Sequence, residues 1–381
     1  MAPTHFSFRK LRRKFRQGGI RTAFFDATET IYRRILYPYI FYILSETNRI
    51  RILDAKDLER RADCTVDLDL ENHDSVYEFT LGNIFSYTGL VVTDDFEIIT
   101  QSVGSTQFSE KFTIESLSHQ DFTRSAITPL FLNLYTKKLS GKKISKNVCP
   151  LIPRYNNYYH WMIGTVPKIR YVGKYQEKTG KSVTFLLPKD PPSWIGQTLS
   201  LLGCPSDRFL VSQAPIYKPD RTVVPPHPFP GQEGDYKWIR RRIFENLDTR
   251  SSRKSNKRVY ISRENAIGRR VVNEENLMDM LSNYGFEKYR LEDRMVSENI
   301  QLFSNADMIV APHGAGLTDI LFCNDCTVVE LFGSRENNAY ELLCQELGLD
   351  YVSLKCESVS TDILADIDCI EQVLIDKSQN V

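Results

Sequence analysis

Met308-Ile-Val-Ala-Pro-His-Gly-Ala-Gly-Leu-Thr-Asp-Ile-Leu-Phe322 is the stretch on which the reading of the fold turns. Met308 to Ala311 is a short apolar run of the kind buried in a parallel sheet. Pro312 stops the ladder, since it has no N–H to offer. His313-Gly314-Ala315-Gly316 is a turn of small residues, and Leu317 to Phe322 reads as a helix that opens straight after it. Strand, glycine turn and helix N-terminus together make an anion site: small residues let backbone N–H groups approach a phosphate, and the helix dipole favours its charge. The plainer reading is a tight turn with no ligand, so the flanking sequence has to decide.

A second strand, Thr327-Val-Val-Glu-Leu331, follows directly. Glu330 sits at its carboxyl end, where an open α/β sheet places ligand contacts. An acid there could hold ribose hydroxyls while the glycine turn holds phosphates; a cap or salt-bridge partner is the alternative.

Outward from this core the chain alternates strand and helix, the signature of a parallel sheet. After Tyr236 to Leu247 (helix) come Lys257-Arg-Val-Tyr-Ile261 (strand), a helix capped by Asn273 and ended by Gly285, and Ser297 to Ala306 (helix). Upstream, helix from His160, strand Ser182 to Leu187, helix Trp194 to Leu202 and strand Arg221 to Val224 repeat the pattern. Pro225 to Gly231 continues neither element and reads as an inter-domain hinge. The expectation is an α/β protein of two Rossmann-like domains facing each other across a cleft. The N-terminal domain spans 56–230 and the C-terminal nucleotide-binding domain 231–381, behind a basic arm of 1–55.

With 381 residues the chain is long enough for two ordinary cores, and its net charge of +1 is unevenly spread. Seven Lys or Arg and no acid fall within residues 1–25. Phe8, Leu11 and Phe15 share one helical face amid those charges, and the apolar segment Ile31 to Leu44 is too short and too charged to span a bilayer. Residues 1–44 therefore read as an arm for an anionic membrane surface. No further basic run with interleaved aromatics points to nucleic acid. Eight scattered cysteines and the lack of a secretory signal fit a cytoplasmic setting, peripheral at the inner face of the cell membrane. Cys323-Asn-Asp-Cys326 lacks a second Cys/His pair and reads as packing thiols; Asp67-Leu-Asp69 lies in an alternating strand and reads as solvated. No metal site is expected.

Two further stretches could carry chemistry. In Asn156-Asn-Tyr-Tyr-His-Trp161 a histidine flanked by aromatics opens a helix, partly desolvated and suited to proton transfer. In Ser262-Arg263-Glu-Asn-Ala-Ile-Gly-Arg269-Arg270-Val-Val-Asn273-Glu274, one arginine follows a strand and two precede a helix, a set that could clamp a diphosphate. Glycine turn, post-strand Arg and terminal acid describe a nucleotide-diphosphate site. Its chemistry would be departure of that diphosphate, stabilised by Arg and the helix N-terminus in place of a metal, with a base activating an acceptor hydroxyl. That is nucleotide-sugar glycosyl transfer on a GT-B-type fold.

The three blocks, Asn157 to Lys168, Ser262 to Glu274 and Gln301 to Leu331, resemble glycosyltransferase family 61 when taken in order and at this spacing. The resemblance covers roughly residues 150–350 and implies an inverting, metal-independent transferase with no cofactor, using a nucleotide sugar, commonly a UDP-sugar. By matching position it implies a donor side of Arg263, Arg269, Arg270, Asn273, His313, Gly314, Ala315, Gly316, Leu317 and Glu330. It places His160 facing the acceptor and the anomeric carbon, with Asn157 and Trp161 on that side; His160 as catalytic base is the substitute taken here for an acid that members commonly carry. One departure stands out: many members carry an acid four residues after the motif His, and here that position is Gly164. The expected partners are a nucleotide-sugar donor, a glycan or polyprenyl-linked acceptor, and the membrane surface. The rival readings are a non-catalytic sugar-nucleotide-binding scaffold and a polysaccharide pyruvyl transferase.

Overall fold

The computed structural model describes residues 51–53, 55–70, 75–80, 82–103, 139–153, 155–228, 233–247, 257–334 and 336–378. The basic membrane arm expected over 1–44 lies outside the described residues. Among the described residues no helix is long and apolar enough to cross a membrane.

The chain forms two compact units that are interleaved in sequence. Residues 156–170 and 191–208 belong with 228–381, and the remainder makes the first unit. This differs from the expected division into 56–230 and 231–381. The last passage between units does fall at His227/Pro228, inside the Pro-rich stretch. The two earlier excursions were invisible because nothing in their composition marks a boundary.

The first unit is strand-dominated. It opens with β1 (Arg51–Leu53), α1 (Ala55–Arg61), β2 (Cys64–Asp67), β3 (Ser75–Phe79), β4 (Gly82–Phe85), β5 (Leu90–Thr93) and β6 (Glu97–Ile99). Then come β7 (Lys142–Pro150), α3 (Pro167–Thr179, which enters from the second unit), β8 (Thr184–Leu187), β9 (Phe209–Val211) and β10 (Ile216–Val224), while the intervening α2 (Tyr158–Met162) and α4 (Ser193–Leu201) belong to the second unit. The sheet order is β1-β6-β5-β4-β10-β7-β8-β9, with β3 also on β10 and β2 on β3. β10, β7, β8 and β9 run parallel, as the βα alternation predicts. In the other half β2 to β6 pair antiparallel, with β1 added parallel to β6 at the edge, so this unit is a mixed sheet and not the plain Rossmann-like domain expected. The reason is local: Gly89, at φ +73°, closes a tight β4–β5 turn, and short strands joined by tight turns can only pair antiparallel. Inside this sheet Glu78 is fully buried, with Lys181 at 2.6 Å, Tyr175 at 2.7 Å and Arg221 at 3.3 Å. Burial alone would raise its carboxyl, but those three partners outweigh it and hold it below the usual value.

The second unit carries an all-parallel sheet. After α5 (Glu233–Asn246) the chain forms β11 (Lys257–Ile261), α6 (Glu274–Asn283), β12 (Phe286–Tyr289), α7 (Val296–Ser304) and β13 (Ala306–Pro312). A 3-10 segment (Ala315–Phe322) leads to β14 (Thr327–Phe332), α8 (Ala339–Leu347), β15 (Asp350–Lys355), the hairpin β16 (Glu357–Val359) and β17 (Asp362–Leu364), and α9 (Ile367–Ser378). The order is β12-β11-β13-β14-β15. The chain winds outward to β12, then crosses back over β11 to β13, so a topological switch point opens between the carboxyl ends of β11 and β13. Ligands bind there in sheets of this kind, because the two flanking loops diverge and leave a crevice. One face of the sheet packs Tyr260, Val310, Val329 and Leu331 against Leu277 and Leu281 of α6 and Ile370 and Leu374 of α9. The chain as a whole is α/β, as expected.

Candidate functional site

Two loops meet at the switch point. The β13 ladder ends on Pro312, and His313 N–H reaches Leu331 O at 2.9 Å, so the turn departs from a rigid strand end. Gly314 is extended, a conformation open to any residue. What requires glycine is space: a Cβ at 314 would lie 2.1 Å from Nη1 and 2.8 Å from Cζ of Arg263. The guanidinium from the β11 loop therefore lies directly against the glycine backbone of the β13 loop.

Arg263 is the electrostatic centre of this pairing. Its Nη2 donates to Gly268 O at 3.3 Å, and its Nε is buried without a partner. Among the described residues no carboxylate forms an ion pair with it. Burial, and then the neighbouring charge of Arg269, pull its pKa down to about 10, which still leaves it a cation at neutral pH. A half-buried, half-satisfied cation beside another cation is a costly arrangement that an anionic ligand would relieve. A cavity of about 280 Å³ opens beside it, bounded by the ends of β11, β12 and β13.

Leu317 to Phe322 was expected to be an α-helix, and the structure makes it 3-10. Thr318 explains part of this. Its Oγ1 donates to Ala315 O at 2.7 Å, taking the carbonyl that an α-turn would offer to residue 319. At the far end Arg240 of α5 donates to the carbonyls of Leu321 and Cys323, each at 2.6 Å. Cys323 and Cys326 are both buried beside it, as packing thiols should be.

His313 is held from both ring nitrogens. Nδ1 lies 2.5 Å from Glu330 Oε1, and Nε2 lies 2.8 Å from Asn337 Nδ2. Asn337 Oδ1 accepts the Ala339 N–H at 3.0 Å, which orients the amide and turns its NH2 toward the imidazole. Nε2 is therefore the acceptor and the proton sits on Nδ1, donated to Glu330. Glu330 is 0% exposed, and its second oxygen accepts from Tyr351 Oη at 2.7 Å. Phe332 stacks on the His313 ring, with centroids 5.2 Å apart.

The His160 block belongs to this same unit. Asn157 Oδ1 accepts the His160 N–H at 3.0 Å and caps α2. The helix expected to run on from His160 breaks at 163–166 and restarts at Pro167, where the missing N–H costs nothing. Tyr158 Oη donates to Asp319 Oδ1 of the 3-10 segment at 2.8 Å. Tyr159 sets its ring edge-on to Tyr340 at 5.4 Å, and Tyr340 in turn faces His313 at 5.6 Å. Burial drives the Asp319 carboxyl up to about 7 despite the Tyr158 hydrogen bond, which opposes that rise.

The remaining candidates divide. Arg269 lies near Arg263, its backbone left-handed at φ +59° and its N–H bonded to Thr361 O at 2.8 Å. Arg270 is committed to Asp362 at 2.6 Å. Asn273 occupies the N-cap position of α6, but its side chain makes no cap bond as the sequence reading expects. Its amide instead exchanges two 2.9 Å hydrogen bonds with the Ala365 backbone. Trp161 is fully buried against Trp194, so it cannot face an acceptor. Leu317 is buried at the edge of the cavity. Asn337, Tyr340, Tyr351 and Asp319 escaped the sequence reading; only Asp319, inside the quoted stretch, carried a signal that could have found it. Among the described residues no group of three His, Cys, Asp or Glu side chains is placed to hold a metal ion.

Residues 158–329 match the family Glycosyltransferase 61. The match runs from α2 to β14 and takes in His160, Arg263, His313 and the glycine turn, bearing out the resemblance carried by the three motif blocks. Two curated relatives are similar to part of this chain. The EGF domain-specific O-linked N-acetylglucosamine transferase of Gallus gallus is 28% identical over 102 residues, covering 25% of this chain and 19% of its own length. Its namesake from Drosophila melanogaster is 30% identical over 96 residues, covering 24% of this chain and 18% of its own. The matched segments thus span about a fifth of those relatives.

Proposed function

We propose that this chain is an inverting, metal-independent glycosyltransferase of GT-B type that moves a sugar from a nucleotide diphosphate, a UDP-sugar in the first instance, to an acceptor hydroxyl. The observation that carries the reading is the Arg263 guanidinium: half-buried with its Nε wholly enclosed, without a carboxylate partner among the described residues, and laid against Gly314 at the switch point. In transfer the acceptor oxygen attacks the anomeric carbon, the bond from that carbon to the diphosphate breaks, and its electron pair leaves with the diphosphate. Arg263 and the backbone N–H groups of 314–316 stabilise the charge that collects there, and burial strengthens that interaction. The acceptor's proton goes to His160, which takes the place of the acid absent at Gly164. Glu330 is spent on His313 and Tyr351, so its part is to fix the imidazole beside the glycine turn and not to touch ribose.

The acceptor in this reading is a glycan or a polyprenyl-linked glycan, reached at the inner face of the cell membrane with residues 1–44 on its anionic surface. N-acetylglucosamine, named for the two relatives, is the first donor sugar to try. The test is a thermal-shift and calorimetric panel of nucleotide sugars on the full chain, with and without EDTA. A donor bound equally well in EDTA, and lost on Arg263→Ala, is the expected result. Stabilisation by no nucleotide sugar, or binding indifferent to Arg263→Ala, would overturn the reading.

A further inference from the structure

Glu330 leaves a question open. If the diphosphate lies on Arg263 and Gly314, something other than Glu330 must meet the ribose, because that carboxylate is fully buried with both oxygens taken. We infer that the cavity beside Arg263 is a nucleoside subsite, in which Glu292, steadied by Asn265, accepts hydrogen bonds from the ribose hydroxyls. The inference rests on the diphosphate reading above and adds to it the residues that recognise the sugar ring.

Position comes first. Glu292 follows β12, the strand beside β11 on the side away from β13, and so stands at the mouth of the crevice opposite the glycine turn. An acid just past the second strand of such a sheet is well placed to reach the ribose of a nucleotide whose phosphates lie at the switch point. The cavity is about 280 Å³, the lower end of the small-ligand range. Its walls divide by chemistry. Ile261, Leu291 and Leu317 are buried apolar side chains that give a base or sugar face something to lie on. Gly316 keeps that floor close-packed, since a Cβ there would come within 3.1 Å of Leu291 Cδ1.

The polar edge is Asn265 and Glu292, both exposed. Asn265 Nδ2 donates to Glu292 Oε1 at 3.3 Å, joining the loops that follow β11 and β12, and among the described residues Oε2 has no partner. The nearby acids are otherwise engaged: Glu264 pairs with Lys288 and, at 2.8 Å, with Arg290, while Glu274 takes Lys288, Tyr260 and Ser262. Glu292 also lies near enough to Arg263 for its charge to act on the guanidinium. A carboxylate with one steadied and one open oxygen, at the far wall of an apolar pocket from a cation, matches a diol on one end of a ligand and a diphosphate on the other.

The test measures calorimetric affinities of the full chain for uridine diphosphate, its 2′,3′-dideoxy analogue and inorganic pyrophosphate, for the wild type, Glu292→Gln and Asn265→Ala. The wild type should favour the ribose form by about tenfold or more, the scale of a hydrogen bond to a charged group. Glu292→Gln should shrink that preference to within about twofold and leave pyrophosphate unchanged, with Asn265→Ala in between. A preference that survives in both variants, or that is absent from the wild type while pyrophosphate binds, overturns the subsite alone. Failure of pyrophosphate and uridine diphosphate alike overturns the diphosphate reading on which it rests.

Discussion

Arg263 occupies the space that any side chain at residue 314 would need, its Nη1 2.1 Å from where a Cβ of Gly314 would stand. The two residues are 51 positions apart in sequence and share no hydrogen bond. Their relation is purely steric, and it makes function and stability separable at this point.

Gly314→Ala should therefore fold. The atoms it meets are the far end of a flexible side chain, and Arg263 can swing away at a cost of about 1 kcal/mol or less. Diphosphate affinity should nonetheless fall by about tenfold or more, because the displaced guanidinium no longer faces the turn. Chemical denaturation and calorimetry on the same preparation check both halves. A large stability loss with unchanged affinity would contradict this account.

Arg263→Lys keeps the charge and loses the fork. An ammonium cannot give two parallel N–H bonds to a phosphate, and here it would sit in a partly desolvated site. Affinity for a nucleotide diphosphate should drop by roughly tenfold, with Arg263→Ala lower still. Equal binding by the lysine variant would mean that the site needs only a point charge.

Glu330→Gln should destabilise the second unit by about 1–3 kcal/mol, since it disturbs a buried acceptor that serves two donors at once. The sharper readout is the imidazole. Nitrogen NMR of the wild type should show His313 protonated at Nδ1, as the Asn337 amide requires. An Nε2-protonated ring in the wild type would rule the network out.

The Tyr158–Asp319 joint should give stability a pH dependence of known sign. Burial raises the Asp319 pKa from 3.8 to about 7, so between those values the folded chain binds more protons than the unfolded one. Its contribution is complete below pH 3.8 and is lost as pH rises through about 7. Asp319→Asn, which keeps an acceptor for Tyr158, should gain on the wild type between pH 5 and 8 by on the order of a few kcal/mol at most. Urea midpoints at the two pH values test this. A constant difference between wild type and variant would show that Asp319 does not titrate there.

Much of the second unit could be read directly. Lys257–Ile261 is a strand with the bounds the sequence predicts, and the runs around Met308 and Val328 are the buried parallel strands expected of them. The first unit was harder. Leu90–Thr93 and Glu97–Ile99 are legible as strands, but they join the sheet that holds β7 to β9 only through β4, which pairs with β10 more than a hundred residues away. Trp161 shows the same limit at the site: its aromatic neighbours mark a desolvated place without saying which face is buried.

Local chemistry, then, was settled by the chain's own order: where strands end, where glycine opens a turn, and that an arginine follows one strand while a glycine loop follows another. Those features depend on residues a few positions apart, and their physics is that of single peptide units and side-chain volumes. Tertiary packing decided the rest. It laid Arg263 on Gly314, gave Glu330 to His313 and Tyr351, and carried α2 with His160 into the same unit as the glycine turn through Tyr158 and Asp319. Each of these joins groups separated by 17 to 161 residues, and which of the many possible partners meets is fixed only once both are buried together.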